Sequence, residues 1–84
     1  MAVIVSFFPS KDGKGGIHRT EVDCGWQVID HHGGSYLQLS TYGSDQRKSE
    51  KKVSQTIQID RAQAAELLNI IGRAFPGLQA ARAE

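Results

Sequence analysis

The sequence predicts an α+β domain: an antiparallel sheet of four or five strands followed by one C-terminal helix packed on one face. Three observations predict it. Residues 36–42 and 53–59 alternate aliphatic with polar side chains, and a period of two is that of a strand with unlike faces. A helical repeat follows, opened by Asp60 and stopped by Pro76-Gly77. The 84 residues are enough for one domain and one modest core.

Val3 to Phe8 is β-branched and aromatic and ends at Pro9, which reads as a first strand. Ser10 to Gly16 is turn chemistry carrying Lys11 and Lys14, hence a loop. It lacks the Gly-Lys-Ser/Thr of a phosphate-binding loop. In residues 17–30, Val22, Cys24, Trp26 and Val28 share one parity, and either one bent strand or two short ones fits. Gly25 marks a bulge or a close backbone approach. His31 to Ser35 connects a hairpin. Tyr36 to Tyr42 then alternates, with Leu37, Leu39 and Thr41 on one face. After a polar loop, Val53, Ile57 and Ile59 take the aliphatic face of the last strand. Asp60 is an N-cap, with Gln63 three residues on as in a capping box, and the helix spans 61–74. One domain covers 1–78, and 79–84 is a flexible tail.

A single cysteine excludes an internal disulfide and fits a reducing compartment. No CxxC or HxxxH spacing joins Cys24, His18, His31 and His32 into a zinc site, so neither metal nor cofactor is expected. The first residues lack the basic start of a signal peptide, and no run approaches the ~18 apolar residues of a membrane span. A cytoplasmic protein is the simplest expectation. The net charge of +1 gives no global field to attract nucleic acid, but Arg47, Lys48, Lys51 and Lys52 cluster against Glu50 alone.

Two surfaces stand out. Opposite the aliphatic parity lie Tyr36, Gln38, Ser40, Tyr42, Ser54, Thr56 and Gln58: every one can hydrogen-bond, two are aromatic and none is charged. Such a face suits unstacked nucleic acid, with rings for stacking and amides and hydroxyls for base edges and phosphates. It equally suits a protein partner, and it is also what a neutral β surface with cross-strand pairs looks like. The second surface is the helix. Ala64, Leu67, Leu68, Ile71 and Phe75 form a core-facing stripe, while Ala62, Ala65, Ile70 and Ala74 leave apolar surface over. That surplus predicts a two-fold homodimer through Leu67, Ile70, Ile71 and Ala74.

Residues 26–75, WQVID-HHGGS-YLQLSTY-GSDQRKSEKK-VSQTIQI-DRAQAAELLNIIGRAF, resemble the positive-cofactor-four family of transcriptional coactivators. The likeness lies in strand lengths, in the charged loop before the last strand, and in the capped amphipathic helix. It implies a curved four-stranded sheet, a helix-mediated homodimer, and single-stranded DNA or RNA along the sheet. It carries to Tyr36, Gln38, Ser40 and Tyr42, to Arg47, Lys48, Lys51 and Lys52, and to Lys11 and Lys14. The sequence departs from the family in its neutral strand face and in Val53 following Lys52.

Catalysis is not expected. His31-His32 lies beside Gly33-Gly34 in a turn, which holds no base in place, and Cys24 reads as a buried small hydrophobe rather than a nucleophile. The expectation is a non-enzymatic module that grips single strands through Tyr36, Gln38, Ser40, Tyr42, Thr56 and the lysine-rich loops. The rival is a regulatory or phage-encoded module that binds or inhibits a protein.

Overall fold

A computed structural model describes residues 1–11, 15–43 and 52–78. Four strands, β1 (Ala2–Val3), β2 (Cys24–His31), β3 (Gly34–Tyr42) and β4 (Val53–Ile59), precede one helix, α1 (Arg61–Ala74). The sheet order is β1-β4-β3-β2. Strands β2, β3 and β4 run antiparallel, but β1 runs parallel to β4, so the sheet is mixed rather than purely antiparallel. The alternation on which the prediction rested fixes faces, not directions. Parallel neighbours need a long connection, and the chain between β1 and β4 is long enough, since it includes both β2 and β3.

The tight connection is His32-Gly33, with φ of 51° and 77°. Two successive positive φ values match the right-handed twist of the flanking strands. Glycine takes this conformation freely, whereas a left-handed His32 costs roughly 1–2 kcal/mol. Ser35 Oγ donates to Asp30 Oδ1 at 3.0 Å and closes the adjoining pair.

Other boundaries differ from expectation. The first strand pairs only through Ala2 and Val3, with the Ile4 N–H donating to Gln58 O at 2.9 Å beyond them. Strand β2 begins at Cys24, leaving Val22 outside it. Cys24 itself is exposed, not buried, because it sits at the start of an edge strand with no neighbour on its outer side among the described residues.

The helix occupies its predicted residues. Asp60 Oδ1 accepts the Gln63 backbone N–H at 2.9 Å, satisfying one of the donors a helix start leaves unpaired. No linker separates Ile59 from this cap, so the helix roll follows from the end of β4. The half-buried side chains are Gln63, Ala64, Leu67, Ile70 and Ile71, a stripe rotated from the predicted one. Ile70 lies within it. Leu68 and Phe75, assigned to the core stripe, are 59% and 63% exposed. Among the described elements the helix touches only β3 and β4. Among the described residues no helix is long and apolar enough to cross a membrane. The tail at 79–84 lies outside the described residues.

Among the described residues Ile59 is the one apolar side chain fully withdrawn from water. It pairs with Leu37 beneath the start of the helix. Trp26 and Val28, on the same aliphatic face by register, stay 71% and 59% exposed. One fold prediction follows from the cap. Asp60→Ala should lower stability by about 1 kcal/mol in urea unfolding while Asp60→Ser retains most of it; equal loss in both would remove the cap from the account.

Candidate functional site

Residues paired across antiparallel strands point to the same side of a sheet. The pairs Gly25↔Ser40, Gln27↔Gln38, Ile29↔Tyr36, Ser40↔Thr56 and Gln38↔Gln58 therefore belong to one face, with Val3 beside Gln58. Cys24, Trp26, Val28, Leu37, Leu39, Ile57 and Ile59 take the other. Tyr36, Gln38, Ser40, Tyr42, Thr56 and Gln58 are thus brought together as their alternation requires. No Lys, Arg, Asp or Glu of the paired strands points to their side.

A register shift between Thr41 and Tyr42 changes the end of β4. Val53 pairs with Tyr42 and joins the tyrosine face instead of the aliphatic one. Ser54 leaves the tyrosine face: its hydroxyl lies 2.8 Å from Thr41 Oγ1, and it donates to Thr41 O at 3.3 Å. Two residues of β4 there oppose one of β3, which a strict period of two does not anticipate.

The middle of the face is closed. Ser40 is 6% exposed, and its hydroxyl shares a hydrogen bond of 3.0 Å with Thr56 Oγ1. Gln58 Nε2 donates to Gln38 Oε1 at 2.8 Å. The tyrosines mark the two ends. At the hairpin end, the Tyr36 and His31 rings meet edge to face with centroids 6.3 Å apart, and His31 meets His32 at 4.0 Å. At the opposite end the Tyr42 ring crosses Gly25: a Cβ built on that glycine would stand 3.1 Å from Tyr42 Cε1. The sequence offered a bulge or a close backbone approach at Gly25; Gly25 pairs in regular register with Ser40, and what lies against it is the Tyr42 side chain.

Strand β2 adds Gln27, Ile29 and His31 to this face by register, none of them assigned to it from sequence. A signal was present, since the parity shared by Cys24, Trp26 and Val28 leaves these residues on the opposite side. Lys11 and Lys52 are exposed. Lys14, Arg47, Lys48 and Lys51 lie outside the described residues. The Gly43 N–H donates to Lys52 O at 2.8 Å, and the Tyr42 N–H to Asp23 O at 3.0 Å. The basic loop is therefore rooted beside Tyr42. Among the described residues no three His, Cys, Asp or Glu side chains gather as a metal ion requires.

In comparisons with known proteins, the chain matches no family model, no curated protein and no solved structure.

The glutamine pair gives a direct check on this geometry. A double-mutant cycle on Gln38→Ala and Gln58→Ala, read by urea unfolding, should return a coupling of about 0.5–1.5 kcal/mol; a value near zero would mean that the two amides do not meet in solution.

Proposed function

We propose that this chain is a non-enzymatic module that binds single-stranded DNA or RNA across its tyrosine-bearing face and works as a homodimer. The observation that carries the reading is the face itself: Tyr36 and Tyr42 at its ends, amides and hydroxyls between them, no carboxylate to repel phosphate. Aromatic rings stack on any base and amides reach base edges, a combination that grips strands with little sequence preference. Positive charge comes from Lys11 and Lys52 and, from the sequence, from Lys14, Arg47, Lys48 and Lys51. A cytoplasmic location and the absence of catalysis belong to the same proposal.

The homodimer follows from the shortage of core. Hydrophobic burial is the main term opposing chain entropy, and one fully buried isoleucine among the described residues is far too little. Leu68 on the helix and Phe75 at its C-cap are both exposed, and beside the Cα of Gly72 between them a methyl group would meet nothing within 4 Å. That open stripe suits a second copy of the helix. Of the four predicted interface residues, Leu67, Ile70 and Ile71 already turn partly inward and Ala74 is exposed, so the contact centres on Leu68 and Phe75. The edge of β2, with no strand beside it among the described residues, and the exposed Trp26 and Val28 favour the rival reading, a module that docks on another protein by strand addition.

Fluorescence anisotropy with a labelled single strand at several salt concentrations tests the first reading. Affinity should fall as salt rises, with a log–log slope near −0.7 per phosphate neutralised, and Lys52→Glu should weaken binding to all sequences alike. No binding at low salt with micromolar protein would reject it, and a polypeptide bound through β2 would install the rival. Sedimentation equilibrium should give twice the chain mass, with Leu68→Glu/Phe75→Glu shifting it toward one chain; a wild-type monomer that unfolds cooperatively would refute the dimer.

A further inference from the structure

We propose that the polar face is divided into two separate seats for unstacked nucleobases, with a closed polar bridge between them. This rests on the nucleic-acid reading and adds where along the strand bases are held. The first seat is a cleft of about 270 Å³ at the hairpin end, lined by Val3, Ile29, His31, Tyr36 and Gln58. The second, also about 270 Å³, is lined by Gly25, Trp26, Gln27, Gln38, Ser40 and Tyr42. Each combines one tyrosine with glutamine amide groups left free for a ligand. Ile29 and Val3 add an apolar wall to the first. Gln27 stands beside Gln38 in the second, the Trp26 side chain belonging to the opposite face by register. A base needs a flat partner for its ring and polar atoms for its edge.

The bridge keeps the seats apart. Ser40 and Thr56 engage each other's hydroxyls, and Ser40 is withdrawn from solvent, so the centre of the face offers little to a ligand. The glutamine bond uses Gln58 Nε2 and Gln38 Oε1. Gln58 keeps its carbonyl oxygen as an acceptor in the first seat, and Gln38 keeps its amide N–H groups as donors in the second. The two seats thus differ in polarity. Tyr36 and Tyr42 are six residues apart on β3, roughly 20 Å at the usual rise of a strand. A stacked single strand advances roughly 3.4 Å per nucleotide, so about six steps, or about seven nucleotides at most, span both seats and one or two nucleotides reach only one.

The test is a titration series with oligothymidylates of two, four, six and eight nucleotides. Affinity should step up once the chain is long enough to occupy both seats. Tyr36→Ala and Tyr42→Ala should each weaken the longest ligand roughly tenfold and abolish the step, while the phenylalanine variants retain it. Gly25→Val, which displaces the Tyr42 ring without removing it, should match Tyr42→Ala. The wild-type length series needs no variant to fold. A smooth rise of affinity with length, or tyrosine variants of undiminished affinity in a protein that Lys52→Glu weakens, would overturn the seats and leave a backbone-only grip. Failure of every length to bind would overturn the nucleic-acid reading itself, and the seats with it.

Discussion

Strand β3 pairs with β2 from Gly34 to Thr41 and with β4 from Leu37 to Tyr42, and its register with the two decides what the sheet presents on each face. Leu39 stands between Trp26 and Ile57, and Gln38 between Gln27 and Gln58. A slip of one residue would carry Tyr36 and Tyr42 to the aliphatic side and leave Leu37 and Leu39 with the glutamines. Two features pin the register: the His32-Gly33 turn, which sets β2 against β3, and the Ser40–Thr56 and Gln38–Gln58 bonds, which set β3 against β4. The same polar pairs that define the face also fasten the sheet.

The second constraint is a deficit. The aliphatic face and the helix both carry more apolar surface than this chain covers, most of it at Trp26, Val28, Leu68 and Phe75. Stable domains do not leave large contiguous apolar patches in water, and at about 25 cal/mol per Å² each such side chain is a substantial contribution forgone. On the proposed reading folding and association are one process, in which a second copy would cover the oily face and leave the polar one to a ligand.

Much of this was legible in the sequence, for identifiable reasons. The helix could be placed from its Asp60 cap and Pro76-Gly77 stop, and β3 and β4 from alternation, because these are local signals. What escaped was non-local. The direction of β1 depends on its pairing with β4, which is distant in sequence. The helix roll depends on the direct Ile59-Asp60 junction, so Leu68 and Ile70 exchanged places relative to a simple stripe. Ser54 and Val53 changed faces at a bulge that no residue type announces. Cys24 proved exposed because edge position, which alternation does not reveal, decides whether an apolar-parity residue is covered.

The central claim is that one face, and not the other, meets the ligand. Side-chain NMR during titration with a single-stranded oligonucleotide tests it most directly. The account predicts that the amide groups of Gln38 and Gln58 and the rings of Tyr36 and Tyr42 respond, while the methyl groups of Leu37, Leu39, Ile57 and Ile59 stay in place. Movement of those methyls with the glutamine amides unmoved would contradict it.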